Sequence, residues 1–173
     1  MATKGEIPAL PNWVRRVLIG RNPKRTLLRM LIWAAVLLVI GNFVLLPIRV
    51  VGISMLPTYQ DRSVNVVNCL AYLFHSPQRG DVVAIRYSDK HAMLMKRIIG
   101  LPGETVQFHH GRALVNGKPL AEPYVRFPCN WEHGPEPVGW DEYYVVGDNR
   151  AMDLNEHEHG RAERKRIIGK VVL

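Results

Sequence analysis

The chain has 173 residues, 47% of them hydrophobic and 22% charged, which is the length of one domain with an appendage. Its net charge of +8 is gathered at one end: residues 1–29 carry seven basic side chains against Glu6 alone, leaving +2 for everything after Arg29. That distribution makes nucleic acid an unnatural partner, and the two cysteines, Cys69 and Cys129, lack any metal-type pairing.

In chain order, the basic arm comes first. Leu10, Trp13, Val14, Val17 and Leu18 either form the apolar face of a short interfacial helix or belong to an unstructured tail. From Met30 to Ile48 no residue is charged, and Arg29 and Arg49 bracket the run. Nineteen helical residues at about 1.5 Å each span about 28 Å, close to a hydrocarbon core. Basic flanks stay cytoplasmic, so the chain is expected to run N-inside and C-outside. The stretch is longer than the apolar core of a signal peptide, and no small-x-small site follows it, so it reads as an uncleaved anchor. On the outer side a disulfide between Cys69 and Cys129 is permitted, as are two separate buried thiols.

Beyond Arg49 the pattern is β. Val64–Leu70, Asp81–Tyr87 and Met93–Ile99 are short and rich in Val and Ile, with Ser76-Pro77-Gln78-Arg79-Gly80 as a turn. Thr105–His109 and Ala113–Val115 follow, and Asn116-Gly117 is a strong hairpin signal. Residues 121–140, rich in proline and glycine, read as a long loop; Tyr143–Val146 and Arg166–Val172 close the series. The expected fold is mainly β: a transmembrane helix followed by a compact, partly closed antiparallel β domain. The expected divisions are a basic cytoplasmic arm (1–29), an anchor (30–48) and an extracytoplasmic β-rich domain (49–173). Lys-Arg-Ile-Ile-Gly occurs at 96–100 and again at 165–169, too short an echo to be a structural repeat.

Candidate chemistry centres on one serine and one lysine. In Gly52-Ile53-Ser54-Met55-Leu56-Pro57-Thr58, Pro57 bars Leu56 from the helical conformation, so Ser54 sits on an extended or turning backbone. A serine hydroxyl needs a base, and a lysine becomes one only when burial lowers its pKa from about 10.4. Lys96 has apolar neighbours in Met93, Leu94, Met95, Ile98 and Ile99, whereas Lys165 lies between Arg164 and Arg166. Asp153, Glu156, His157, Glu158 and His159, with His109 and His110, hold metal-ligand types but no helical ligand spacing, and read as a polar loop.

These segments resemble the boxes of the type I signal peptidases, the S26 serine-protease family. Gly52 to Thr58 resembles the nucleophile box and Arg79-Gly80-Asp81-Val82-Val83 the strand box. Lys96 to Glu104 resembles the lysine box, and Gly147-Asp148-Asn149-Arg150, with Gly160, the last box. The resemblance implies Ser54 as nucleophile and Lys96 as general base of a bacterial inner-membrane endopeptidase that removes signal peptides from secreted preproteins. Its implied partners are signal peptides and the lipid bilayer, with no nucleic acid, metal or organic cofactor. Asp81–Tyr87 and Met93–Lys96 are, by the same resemblance, candidate edges for an extended substrate. A specialised maturation peptidase with one dedicated substrate and an inactive membrane-anchored scaffold are the rival readings.

Two positions depart from the family pattern. Where some members carry a serine that supplies a second oxyanion donor, this chain has Gly52. Where many carry the serine that orients the lysine, it has Asp153, a carboxylate that would raise the pKa of a neighbouring ammonium. The family's acidic–arginine pair is matched by Asn155 and His157.

Overall fold

The computed structural model describes residues 22–86, 93–127 and 129–172. The arm helix considered over Leu10–Leu18 lies outside these, as does Tyr87.

The first unit, ending at Asn42, contributes helix α1 (Pro23–Val39). A proline in the first turn suits its start, because the first N–H groups of a helix have no internal partner. Its large apolar side chains are exposed along its length, Leu31, Trp33 and Leu37 among them. At 17 residues, α1 is shorter than the expected 30–48 span, and no described helix is long and apolar enough to cross a membrane. A π-helical turn, Ile40–Val44, follows it. The last part of the apolar run is a strand: β1 (Leu45–Arg49) pairs residue by residue with β2 (Val64–Asn68). Alternation of Leu46 and Ile48, which pack on a core cluster, with outward side chains gives this segment a strand's period of two.

The second unit, Phe43–Leu173, holds the remaining strands. They are β3 (Val82–Arg86), β4 (Met93–Gly100), β5 (Thr105–His109), β6 (Arg112–Val115), β7 (Lys118–Pro119), β8 (His133–Pro137), β9 (Glu142–Val146), β10 (Gly160–Glu163) and β11 (Ile167–Val171). A seven-stranded antiparallel sheet has the order β1-β2-β11-β3-β4-β9-β10, and a four-stranded sheet the order β7-β6-β5-β8. The end strands β1 and β10 do not pair with each other among the described residues, so the large sheet is open and the expected partial closure is not found. The fold is mainly antiparallel β.

Strand β3 shows why the centre of the sheet holds. Val83 and Ile85 pack on one face with Ile98, Tyr143 and Val145, while Val82 and Ala84 pack on the other with Met55, Val67 and Met95. A strand buried on both faces reads as a continuous apolar run, which is its sequence. Because β3 lies between β11 and β4, the described part of the expected edge Asp81–Tyr87, Val82–Arg86, is no sheet edge. Met93–Lys96 pairs with β3 on one side only, since β9 joins β4 from Arg97 onward. A third cluster, built on Val106, Phe108, Trp131 and Tyr144, fills the space under the small sheet.

Candidate active site

Ser54 is half-buried on a turn whose backbone is bonded from Leu56 N–H to the Ile53 carbonyl and from Tyr59 N–H to the Met55 carbonyl. Gly52 precedes it at φ 111°, in the left-handed region that favours glycine, and its N–H donates to Oδ1 of Asp61 at 2.8 Å. The loop after β9 clamps the serine from behind. Asn149 N–H donates to the Ser54 carbonyl, and Asn149 Nδ2 donates to the Ile53 carbonyl, both at 3.0 Å. Gly147 separates the Ser54 carbonyl from the ring of His157: a Cβ there would collide with the carbonyl and come within 2.8 Å of the ring.

The four boxes meet at one buried carboxylate. Nε and Nη2 of Arg97, beside the lysine, donate to the two oxygens of Asp148 at 2.8 and 2.6 Å. Thr58 Oγ1, from the serine turn, donates to Asp148 Oδ2 at 2.6 Å, and Arg97 Nη1 donates to the Gly80 carbonyl at 2.7 Å. Tyr124 stacks on the guanidinium, its ring centre 3.9 Å away. A bidentate, charge-assisted pair of this kind fixes geometry as well as supplying energy, and it ties the serine turn to the lysine strand.

Ser54 and Lys96 line the same cleft, of about 620 Å³. Its walls are the segment Pro47–Met55 and Met93–Lys96, with Met152, Glu156 and Glu158 also lining it. Lys96 is 3% exposed and makes no ion pair or side-chain hydrogen bond among the described residues. Burial lowers its pKa from 10.5 to about 8, against the carboxylate of Glu158, which pulls it up. Near neutrality roughly a tenth of such lysines carry a free amine, where an ordinary lysine has almost none. Lys165 is on the surface, in a turn, paired with Glu163.

Asp153 does not bear on Lys96. It is exposed, outside the cleft lining, and accepts a bond from the Asn155 N–H at 2.8 Å. Successive turns, Glu156 N–H to the Asp153 carbonyl and His157 N–H to the Leu154 carbonyl, rotate it outward. The same turns bring Glu156 and Glu158 to the cleft and bury His157. The sequence alone places His157 at the family's acidic–arginine pair and Glu158 in a polar loop, and assigns neither to Lys96, because a family offset marks positions and not the direction a loop turns them. Burial, then the charges of Lys96, Arg150 and His159, push His157 down to about 3, so its ring is neutral at physiological pH.

Both cysteines are free thiols and belong to different core clusters. His109, His110 and Glu132, all exposed, present ligand atoms within 4.8 Å of one another. None of the three lines the cleft, and Glu132 already accepts from the backbone N–H of His110.

A half-buried serine and a buried, weakly basic lysine on one cleft of an antiparallel β domain have the parts of a serine hydrolase whose base is an amine. The family model "Signal peptidase, peptidase S26" matches residues 24–173, and the chain belongs to that family. A signal peptidase I of Leptolyngbya laminosa is 39% identical over 128 residues, which is 69% of this chain and 63% of that protein. A probable signal peptidase I-2 of Synechocystis is 35% identical over 147 residues, 80% of this chain and 67% of its own length. Signal peptidase I V of Bacillus subtilis is 33% identical over 146 residues, 76% and 86% respectively. The chain thus spans a little under two thirds of the first of these relatives.

Proposed function

We propose that this protein is a membrane-anchored serine endopeptidase that removes signal peptides from secretory preproteins. The observation that carries the reading is the shared cleft, lined by a half-buried serine and by a lysine that burial holds near pKa 8. Family membership supports the same activity.

In this reading Oγ of Ser54 attacks the carbonyl of the scissile peptide bond while Nζ of Lys96 takes its proton. The Ser54 backbone N–H faces the developing oxyanion, where a fixed donor lowers the barrier. Lys96 then returns the proton to the leaving amine. Water, deprotonated by the free Nζ of Lys96, hydrolyses the acyl-serine ester, and Lys96 passes that proton to Oγ as Ser54 is freed. The substrate lies extended between Pro47–Ile53 and the open side of Met93–Lys96, and its small side chains fit the apolar walls.

The apolar run holds the chain to the bilayer, with the basic arm on the cytoplasmic side of a bacterial inner membrane. Two features support this: α1 exposes apolar side chains all round, for which lipid is the natural solvent, and its start is flanked by Lys24, Arg25 and Arg29. Detergent-solubilised full-length protein is expected to cut a preprotein carrying an Ala-x-Ala site after the second alanine. Ser54→Ala and Lys96→Met should each remove cleavage while leaving the circular dichroism spectrum intact. Turnover in either variant would take that residue out of the mechanism.

A further inference from the structure

Three buried side-chain atoms have no hydrogen-bond partner among the described residues: Oδ1 of Asn149 and both ring nitrogens of His157. Buried polar atoms are nearly always paired, so two orphans on one ring call for a cause. His157 is 3% exposed, meets the edge of Trp131 at 4.9 Å between ring centres, and packs on Gly147. Across Gly147 stands the Ser54 carbonyl, and the residues on either side of His157 line the cleft with Lys96. The charged and titratable groups that act on the ring are Lys96 from β4, Arg150 from the loop after β9, and His159 from its own segment, opposed by the backbone of Glu158, which favours the protonated ring. Lys96 has N–H bonds to donate and no described side-chain partner; His157 has ring nitrogens and none either.

We infer that His157 is the positioning residue for Lys96: a ring nitrogen accepts a hydrogen bond from Nζ relayed by one bound water, and holds the amine toward Ser54. This rests on the reading of Ser54 and Lys96 given above. Either tautomer of a neutral imidazole leaves one nitrogen as acceptor. Such an acceptor orients the ammonium and the free amine alike, because both keep N–H bonds to donate. A carboxylate in its place would hold the proton on the lysine and defeat the base. The orienting role expected of a serine at Asp153 thus passes to a ring four residues further along the chain.

The test uses the full chain in detergent, with His157→Phe, His157→Gln and Lys96→Met beside the parent. Two quantities are read against pH: kcat on an Ala-x-Ala preprotein, and the rate of Lys96 labelling by an amine reagent, followed by peptide mass spectrometry. His157→Phe keeps the ring's bulk and removes the acceptor. It is expected to keep KM within twofold, to lose about tenfold to hundredfold in kcat as a misplaced group does, and to move the labelling midpoint to lower pH. His157→Gln, which restores a carbonyl acceptor, is expected to recover part of both. A His157→Phe enzyme with unchanged kcat and labelling midpoint would overturn the proposal, as would a fall in kcat with an unmoved midpoint. Ring ¹⁵N shifts of His157, compared between the parent and Lys96→Met, give a reading that needs no histidine variant to fold: a change supports the contact, identity refutes it. If Lys96→Met still cleaves, the base assignment fails instead, and the labelling and ¹⁵N data still decide whether His157 holds the lysine.

Discussion

An ammonium taken out of water without an ion-pair partner destabilises the fold that buries it, and Lys96, with only the more distant pull of Glu158, is in that position. The lysine's pKa is 10.5 in the unfolded chain and about 8 in the folded one. Between those values the unfolded chain binds more protons, so stability rises as pH climbs from about 8 to about 10.5, and below 8 the full cost is present. The gap corresponds to about 3 kcal/mol as an upper figure. Lys96→Met should therefore be inactive yet more stable than the parent at pH 7, by up to about 3 kcal/mol, with the gain shrinking toward pH 10. Urea titrations at pH 7 and 10 check this, and an inactive variant that is also less stable at pH 7 would argue against a buried ammonium. The same burial sets the rate profile: kcat should rise along a limb centred near 8. Glu158 is the carboxylate that holds this limb up, so Glu158→Gln should move it to lower pH without lowering its plateau. A limb that stays in place or moves upward would show that another group controls the lysine. Asp153, the residue singled out by family offset, should leave the limb unmoved when changed to Ser.

At the scale of elements, Asp148 joins the serine turn to strand β4. It is fully buried and receives both Arg97 and Thr58. Removing one partner of a buried pair strands the other, at about 3–5 kcal/mol. Asp148→Ala is thus expected to lower the unfolding midpoint sharply, whereas Thr58→Val, which loses one hydrogen bond, should cost about 1 kcal/mol. Equal midpoints for the two variants would mean that the ion pair does not hold the elements together. The elements themselves divide by position. Every strand that has a neighbour on both sides was legible, because burial on one or both faces writes Val, Ile and Leu into it. The four strands missed in the sequence, β1, β7, β8 and β10, are the ends of the two sheets. Edge strands admit proline and need less apolar pattern. Pro47 lies in β1, Pro119 in β7, and Pro135 and Pro137 in β8, while β10 reads Gly-Arg-Ala-Glu. The repeated Lys-Arg-Ile-Ile-Gly also gains a meaning that its length hid. Both copies shift register at the Ile-Ile-Gly, and both glycines stand where a Cβ would collide, Gly100 with Val106 and Tyr144, Gly169 with the Asn68 carbonyl. The echo is one bulge used twice, with its lysine buried in β4 in the first copy and exposed in a surface turn in the second.

Over the whole molecule, the motifs carried the serine and the lysine because their spacing is local, while His157, Glu158 and the Asp148 network arise from contacts across as many as ninety residues. The division at Asn42 has a consequence of the same global kind. The unit from Phe43 to Leu173 contains all the described strands and all three core clusters. A chain beginning at Phe43 is expected to keep a cooperative transition within a few degrees of the parent. What it should lose is lipid. Alkaline carbonate strips peripheral proteins from membranes and leaves embedded ones, so the parent should stay in the pellet and the shortened chain should be released. The apolar surface at stake is that of α1, where Leu27, Leu28, Met30, Leu31, Trp33, Leu37 and Leu38 are each more than half exposed. At about 25 cal/mol per Å², a face of that kind is stable only against lipid or a partner. If carbonate releases the parent as readily as the shortened chain, α1 lies on the bilayer or against another protein, and the substrate must reach the cleft without a shared span to bring it there.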